Sequence, residues 1–286
     1  MSRPPVSVVV PFAGDAAAAR SMLDALGQLR TAAGDEVVVV DNSPVPSVAV
    51  AEEGPVRIVR AIAERSSYHA RNAGAIATSG EWLLFTDGDC VPLPDLLDEY
   101  FVSAPNGGSG ALAGEVIGDP SQRPLAARWA RARARLSQSR SLEHPFRPYA
   151  STANLLVRRT AFEAVGGFTE GIRSGGDADF CWRLADAGWS IELRERAFVW
   201  HRHPETVSAM LRQAFRYGGS QAWLERRYPD SLPGGSASRY LGETTRKAAT
   251  CVLRGEWEEA RFCALDVASF LAEAAGRRSA NRPPAD

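Results

Sequence analysis

The sequence predicts an α/β protein with a mostly parallel central sheet, because strand-like and helix-like segments alternate through its N-terminal part. Residues 6–10 form a continuous β-branched run, which is typical of a strand buried on both faces of a parallel sheet. Residues 15–33 follow with leucine and methionine at helical spacing, and Gly34 ends the pattern. We expect further strands at 36–40, 56–59, 82–86, 111–117 and 151–157, and further helices at 68–78, 124–142 and 160–165.

The pattern becomes predominantly helical after residue 204. We therefore expect an α/β domain at 1–204 and a C-terminal helical extension at 205–286 packed on it, with a disordered tail from about residue 277. A chain of 286 residues with 45% apolar and 23% charged residues can bury a large core without disulfides or a structural metal. The four cysteines, at 90, 181, 251 and 263, lack the spacing of a zinc site and are expected to be buried thiols in a reducing compartment.

The overall charge and hydropathy exclude several classes of protein. The 33 basic and 34 acidic side chains give a net charge of −1, which argues against nucleic-acid binding through the overall field. The N-terminal apolar run is too short for a signal peptide, and no stretch reaches the roughly 18 to 20 apolar residues of a membrane span. We expect a soluble, cytoplasmic protein, and a peripheral membrane contact stays open.

Acidic side chains follow two of the predicted buried strands. Asp41 ends one strand, and Asp87 and Asp89 follow another. In parallel sheets, ligands bind beyond the carboxyl ends of the strands, so these side chains should lie at one edge. Two carboxylates around Gly88 can hold one divalent cation, which would carry a polyphosphate. The alternative of a solvated Asp-Gly turn is equally compatible with this short motif.

Further candidates lie later in the chain. Asp177 follows two glycines before a predicted helix and could be a general base, whereas Asp179 could equally cap that helix. His201 and His203 follow an apolar stretch, and strand alternation would turn only one of them inward as a metal ligand. A structural role is the commoner one for an isolated histidine.

Two helical segments carry groups that could bind an anion or a sugar. Gln213, Arg216 and Tyr217 would share one helix face, which could contact a phosphate or a sugar or could simply be solvated. The arginines at 128–135 could meet an anionic acceptor, although a solvated helix face is the favoured interpretation. Trp129 in that segment could stack on a sugar or anchor the helix to the core.

Taken in order, these segments resemble the family 2 glycosyltransferases, which are inverting enzymes of the GT-A fold. The resemblance extends from about residue 6 to about residue 220 and rests on VSVVVPF with VVVVDNS, YHARNAGAIATSGEWLLFTDGDCVP, STANLLVRRTAFEAVGGFTEGI and GGDADFCWRLADAGW. Two positions depart from the family pattern, since Asn42 replaces the second aspartate of D-D-x-S and Gly176 replaces the glutamate of G-E-D-x-D.

The resemblance implies a role for each matching residue. Residues that would contact the donor nucleotide or diphosphate are Pro11, Asp41, Arg71 and Asp87. Asp89 would bind Mn²⁺ or Mg²⁺, either His201 or His203 would be a later metal ligand, and Asp177 would be the catalytic base. Gln213, Arg216 and Tyr217 look like a variant of the Q-x-x-R-W motif, which belongs chiefly to membrane-embedded processive synthases.

The resemblance therefore implies a metal-dependent enzyme that transfers one hexosyl or N-acetylhexosaminyl unit from a nucleotide-diphosphate sugar to an acceptor hydroxyl. Uridine is the family's most frequent donor base, and the acceptor and oligomeric state stay open. Two alternatives are a non-catalytic nucleotide-binding or scaffold member of the fold and a sugar-1-phosphate nucleotidyltransferase. The second would carry a G-x-G-T-R-like loop where this chain has PFAGDAAAAR. A dinucleotide-dependent dehydrogenase is excluded because no G-x-G-x-x-G follows a predicted strand.

Overall fold

The computed structural model describes residues 3–48, 56–232 and 234–284. The chain divides into two compact units. The first comprises Met1–Asp119, Leu136–Arg202 and Arg282–Asp286, and the second comprises Pro120–Arg135 and His203–Asn281. The second unit thus combines the C-terminal helices with a segment from the middle of the chain.

The strands of the described residues form one mixed sheet in the first unit. In chain order they are β1 Val6–Phe12, β2 Glu36–Asp41, β3 Val56–Arg60, β4 Trp82–Thr86, β5 Cys90–Pro92, β6 Ser109–Gly118, β7 Asn154–Arg158 and β8 Ser190–His201. Their spatial order is β3-β2-β1-β4-β7-β6-β8-β5, and four of these seven pairings are parallel. The expected α/β class with a mostly parallel sheet is confirmed.

The continuous apolar runs form the middle of this sheet. Every residue of β1 and of β4 is buried, and β1 lies between two parallel neighbours, β2 and β4. Such strands have no solvent face, which explains why their sequences lack the alternation of a half-exposed strand. Since β2, β1 and β4 all run in one direction, their carboxyl ends lie at the same edge of the sheet.

Helices connect and cover the strands. They are α1 Ala16–Leu26, α2 Ser67–Ile76, α3 Leu96–Glu99, α4 Leu125–Ala132, α5 Gln138–Leu142, α6 Arg159–Ala164, α7 Gly176–Asp186, α8 Val207–Arg227, α9 Ala237–Leu253 and α10 Trp257–Gly276. Side-chain caps begin several of them: the Asp15 carboxylate accepts the amide of Ala18, and Ser66 accepts that of Tyr68. The first helix is shorter than predicted, because its last turn tightens after Gly27 and the Leu29 amide bonds to the Leu26 carbonyl.

The predicted single basic helix at 124–142 is two helices, α4 and α5. Ala134 lies between them in the left-handed region, with a φ of 46°. The Arg135 amide bonds to the Ala130 carbonyl and the Ala134 amide to the Arg131 carbonyl, which are the two hydrogen bonds of a Schellman helix end. A local C-cap therefore ends α4, although the Ala/Arg-rich segment has a high helix propensity.

The second unit consists of α4 and α8–α10, and its helices approach closely. A Cβ atom at Gly218 of α8 would lie 1.9 Å from the Glu273 carbonyl oxygen of α10, and one at Gly276 would lie 1.9 Å from the Phe215 carbonyl oxygen. Only glycine permits backbones to meet at this distance. An apolar cluster of Trp129, Met210, Phe262 and Leu265 completes this core. No helix among the described residues has the length and apolar character needed to cross a membrane.

Candidate functional site

The predicted nucleotide-site residues of the first unit lie at the carboxyl edge of β1, β2 and β4. Pro11 is near the end of β1, where it pairs with Val40 of β2. Asp41 is the last residue of β2, and Asp87 directly follows β4. The topology thus gathers the residues that the sequence suggested would meet at this edge.

Asp87, Gly88 and Asp89 form a tight turn between β4 and β5. The Cys90 amide donates to the Asp87 carbonyl at 3.0 Å, which closes the turn. A Cβ atom at position 88 would lie 3.0 Å from the Phe12 ring, so glycine lets the turn pack against β1. The Asp87 side chain is 32% exposed and that of Asp89 is 55% exposed. Both carboxylates are therefore accessible to a ligand.

Arg71 of α2 lies under this turn and is only 3% exposed. Its guanidinium forms an ion pair with Asp87 and lies 5.5 Å from the centre of the Tyr68 ring. Burial opposes its charge, but the nearby carboxylates of Asp87 and Asp177 outweigh that effect and raise the pKa of Arg71. The Arg71 Nε is buried and has no hydrogen-bond partner among the described residues. Arg71 therefore supplies a fixed positive charge at the floor of the site.

Asp177 lies in the first turn of α7 and is partly buried. The Thr152 amide and hydroxyl each donate to its carboxylate at 3.2 Å. Burial raises the pKa of Asp177 above the ordinary value, although the charge of Arg71 and these hydrogen bonds act in the opposite direction. A carboxylate with a raised pKa takes up a proton more readily, which suits a general base.

Asp179, two residues further along α7, has a structural role. It is fully buried, accepts the Thr169 hydroxyl at 2.7 Å and forms an ion pair with Arg183 at 2.9 Å. Neither contact is the helix cap that the sequence suggested as an alternative. The two aspartates of the motif therefore have different environments: Asp177 bonds to Thr152 and is influenced by the charge of Arg71, whereas Asp179 holds α7 to the preceding loop.

A second cluster comprises Asp89, Cys90 and His201, whose potential ligand atoms all lie within 4.8 Å of one another. Antiparallel pairing of β5 with β8 places His201 opposite Cys90, and His201 Nε2 lies 3.4 Å from Asp89 Oδ1. The Asp89 carboxylate oxygen suits Mn²⁺ and the His201 imidazole nitrogen is a common ligand of divalent metals, so these two of the three donors fit the expected ion. Cys90 was not among the predicted site residues, although its position beside Asp89 in the same turn was a signal.

His203 differs from His201 in its surroundings. β8 ends at His201, so His203 lies outside the strand. The expected strand alternation therefore does not extend to His203, and both histidines are buried. The His203 amide donates to Gln122 Oε1 at 2.8 Å, and Gln122 Nε2 donates to the His203 carbonyl at 2.9 Å. Gln122 therefore fixes the backbone of His203 within the second unit. The cluster described above contains His201, and a metal-binding role for His203 stays a prediction.

Asp41 is held by the protein itself. Its carboxylate accepts the Ser43 amide at 2.9 Å and the Ser47 amide at 3.1 Å, and it pairs with Arg60 at 2.7 Å. Although burial acts to raise it, the pKa of Asp41 is lowered by these hydrogen bonds. The side chain of Asp41 is 1% exposed and that of Arg60 is 34% exposed. Arg60, which the sequence analysis did not select, is thus the more accessible group at this strand end.

Asn42, one of the two departures from the family motif, holds a neighbouring loop. Its side-chain amide donates to the Ala61 carbonyl and, at 2.7 Å, to the Glu64 carbonyl. These bonds need an N–H donor, which an aspartate would lack at neutral pH. Asn42 therefore holds the loop that follows β3, which accounts for an asparagine at this position.

The remaining candidates lie in the second unit. Gln213, Arg216 and Tyr217 share one face of α8 and are partly buried, with the Arg216 guanidinium 5.7 Å from the centre of the Tyr217 ring. Nothing described in this unit assigns them a ligand, so their role in donor binding stays a prediction.

Two arginines of the segment that could meet an anionic acceptor, Arg133 and Arg135, form ion pairs with acidic side chains of α10. Arg133 pairs with Asp266 at 2.8 Å and with Glu259 at 2.9 Å, and Arg135 pairs with Glu273 at 2.9 Å. The Trp129 indole N–H donates to Asp266 at 2.8 Å, and the ring is 3% exposed. Trp129 is therefore an anchor of α4 rather than a sugar platform, and these ion pairs neutralise much of the segment's charge. All four cysteines are buried and free, as predicted.

Comparison with known proteins agrees with this architecture. A model of the family described as "Glycosyltransferase like family 2" matches residues 4–220. A pre-mycofactocin glycosyltransferase of Mycobacterium tuberculosis is 27% identical over 232 residues, covering 79% of this chain and 48% of the relative. The glycosyltransferase AglE of Haloferax volcanii is 28% identical over 237 residues, covering 77% of this chain and 75% of the relative. The chain thus spans about half the length of the Mycobacterium relative.

A solved structure shares the fold. The mannosyltransferase PcManGT from Pyrobaculum calidifontis, determined in complex with GDP-Man and Mn²⁺, matches with a TM-score of 0.62 at 18% identity. The match covers 95% of this chain and 87% of that one. Since the family model spans most of the chain and the strand order places an acidic turn at the sheet edge, the chain belongs to the family 2 glycosyltransferases and has their GT-A fold.

Proposed function

We propose that the protein transfers one sugar from a nucleotide-diphosphate sugar to an acceptor hydroxyl, with inversion and with the aid of Mn²⁺ or Mg²⁺. One observation carries this proposal: the turn after β4 contributes to two clusters at once. Asp87 contacts Arg71, whose charge also acts on Asp177, and Asp89 joins Cys90 and His201. A charged cluster with a carboxylate of raised pKa thus adjoins a cluster of metal-ligand type.

The acidic turn and His201 would hold the divalent ion. Asp89 and His201 offer one carboxylate and one imidazole, and most of the Asp89 side chain is open to solvent. A bound ion supplies positive charge that stabilises the diphosphate as it leaves the sugar. The mannosyltransferase with the same fold is described with Mn²⁺ and GDP-Man, which supports testing this ion and a guanosine donor beside uridine donors.

Asp177 would accept the proton of the acceptor. The acceptor hydroxyl has a pKa far above neutrality, so it needs a base within hydrogen-bond reach as it attacks the anomeric carbon. The two Thr152 bonds orient the Asp177 carboxylate, and burial makes it more basic. A direct displacement assisted by one base inverts the anomeric centre, which is the stereochemistry that we propose.

Arg71 and Asp87 form an ion pair that would fix the position of a positive charge in the site. The Arg71 guanidinium is held by the Asp87 carboxylate on one side and by the Tyr68 and Phe168 rings on others, at 5.5 and 5.9 Å from their centres. This packing fixes the positive charge before the substrate arrives, so that little reorganisation is needed during the reaction.

Nucleotide binding with and without metal provides the first test. We would measure the thermal unfolding of the full chain with UDP, GDP and TDP, each with and without Mn²⁺. A ligand at about 100 times its Kd stabilises the fold by about 2.7 kcal/mol. We expect a shift for one nucleotide that requires Mn²⁺, followed by release of that nucleotide from the matching sugar donor.

The two histidines offer a matched pair of variants for this test. His201→Ala should abolish the Mn²⁺-dependent shift, whereas His203→Ala should retain it, because His201 belongs to the cluster with Asp89. Retention of the shift in His201→Ala would contradict the assignment of the metal site. Nucleotide binding without sugar release under any donor would instead indicate a non-catalytic member of the family.

A further inference from the structure

The glycine at position 176 leaves a space that another residue fills. A Cβ atom built on Gly176 would lie 2.7 Å from atoms of the Tyr68 ring. Contacts between carbon atoms are favourable only at about 3.5 to 4.0 Å, so a longer side chain at 176 cannot coexist with this ring. Gly176 has an ordinary negative φ, unlike Gly175 at 83°. The ring of Tyr68, rather than backbone strain, therefore excludes other residues at position 176.

The Tyr68 hydroxyl contacts the backbone at the start of α7. It accepts the amide N–H of Gly176 at 2.9 Å, across 108 residues of sequence. A phenol oxygen that accepts one N–H keeps its own hydrogen, and this hydroxyl acts to lower the pKa of Asp177, the residue that follows Gly176. Tyr68 is 5% exposed, and its ring also lies beside the Arg71 guanidinium. One side chain thus contacts the backbone directly before Asp177 and the Arg71 guanidinium, and its hydroxyl favours the ionised form of Asp177.

We propose that Tyr68 is a positioning residue for Asp177, and that its ring and hydroxyl serve in this chain where a glutamate at position 176 is usual. This inference rests on the proposed function, since it assigns Tyr68 a role in orienting the base. The hydroxyl fixes the first turn of α7 through the Gly176 amide and stabilises the ionised form of Asp177. The tight fit between the ring and Gly176 makes the two residues a matched pair.

The first test removes only the hydroxyl. Tyr68→Phe keeps the ring in its space, so the fold should be retained. Because the Tyr68 hydroxyl acts to lower the pKa of Asp177, that pKa should rise when the hydroxyl is removed. We would titrate the aspartate carboxyl carbons of the ¹³C-labelled full chain by NMR and identify the Asp177 signal by its absence in Asp177→Asn. This measurement needs no substrate.

Tyr100→Phe is the matched control, because it also deletes a buried tyrosine hydroxyl. The Tyr100 hydroxyl donates to Asn154 Oδ1 at 2.7 Å. The control should therefore leave the Asp177 titration unchanged. An unchanged titration in Tyr68→Phe would overturn the positioning role, even if Asp177→Asn abolished turnover and so upheld the proposed function. Conversely, a shifted titration in a chain that hydrolyses neither UDP-glucose nor GDP-mannose would uphold the contact and count against the proposed activity.

The second test exchanges the pair. Gly176→Glu alone should lower the melting temperature strongly, because the new Cβ meets the ring. In a Tyr68→Ala background, the same substitution should cost much less, since the space is then open and an acidic residue in the first turn of a helix is favourable. Equal losses in the two backgrounds would show that Tyr68 does not occupy this space and would overturn the pairing.

Where a donor is hydrolysed, kinetics separate positioning from folding. In Tyr68→Phe, the acid limb of the kcat profile should move to higher pH with the Asp177 pKa, while KM for the donor stays near the wild-type value. A change confined to KM would contradict a role in orienting the base.

Discussion

Replacing Asp177 by asparagine separates catalysis from folding. Asparagine has the size of aspartate and can still accept one of the Thr152 hydrogen bonds, but it cannot take up the proton of the acceptor. General-base assistance contributes about 10²- to 10⁴-fold, so turnover should fall by at least about 100-fold, equivalent to about 3 kcal/mol in the activation barrier. Nucleotide binding with Mn²⁺ should be nearly unchanged.

The same substitution should not cost stability at neutral pH. The folded state raises the pKa of Asp177, mainly through burial, so it favours the protonated form. The stabilising contribution of this group is therefore complete below the ordinary aspartate pKa and is lost as the pH rises through the raised folded value. Above that value the wild type contains a partly buried ionised carboxylate, whereas the variant contains a neutral amide. Asp177→Asn should thus be as stable as the wild type or more stable at pH 7.

The assay combines urea unfolding at pH 7 and pH 5 with sugar release from the donor found in the binding screen. Asp186→Asn is the control on the same helix, since its carboxylate is 56% exposed and its ion pair with Arg147 lies at the surface. Surface pairs contribute little, so this control should retain both activity and stability. Near-normal turnover in Asp177→Asn would exclude it as the base. A large loss of stability at pH 7 would show that hydrogen bonding, rather than burial, dominates its environment.

Three further substitutions test the metal site, the end of β2 and the helix crossing. Asp89→Ala should abolish Mn²⁺-dependent nucleotide binding without lowering metal-free stability, because its side chain is 55% exposed; a metal-dependent shift that persists would exclude it as a ligand. Asp41→Asn should destabilise by about 1–3 kcal/mol at pH 7, and since the folded state lowers this pKa, the difference should shrink as the pH falls below the ordinary aspartate range. Gly218→Ala should destabilise by about 1–3 kcal/mol through its clash with the Glu273 carbonyl, whereas Gly242→Ala, with open space around it, should stabilise by about 0.5–1 kcal/mol. Equal effects at the two glycines in chemical denaturation would contradict the close crossing.

The elements that the sequence predicted best are those whose burial leaves a continuous apolar pattern. β1 and β4 are buried at every residue, so their sequences alone mark them as inner strands. β5 has only three residues, which is too short for a periodic pattern, and β8 carries four charged residues within 192–196 that interrupt its apolar run. β5 was missed, and of β8 the sequence predicted only strand alternation at its histidine end, yet the pairing of these strands brings His201 to Asp89. The metal-ligand cluster therefore depends on the two strands that local pattern identifies least.

The site residues also differ in whether the sequence predicts them. Asp41, Asp87 and Asp89 follow buried strands, so topology alone predicted that they meet at one edge. Thr152 and Arg60 have no motif, because their roles come from contacts across the fold: Thr152 binds a carboxylate 25 residues away, and Arg60 binds one 19 residues away. Such contacts depend on side-chain placement after folding, which neither spacing nor periodicity records. Arg133 and Arg135, which follow α4, were expected to meet either solvent or an anionic acceptor, and they instead form ion pairs with the carboxylates of α10.

Gly176 departs from the family motif, and the folded chain gives a physical reason for the glycine. At the level of sequence, the loss of a carboxylate beside the base is the one feature that supports the non-catalytic alternative. In the folded chain, the amide of Gly176 bonds to the Tyr68 hydroxyl, and the space that a longer side chain would need holds the Tyr68 ring. The missing group and the residue that fills its space are 108 positions apart, so no local pattern could connect them. If Tyr68 orients Asp177 as proposed, the departure is a coupled replacement of two residues, and single substitutions at either position will misrepresent the contribution of both.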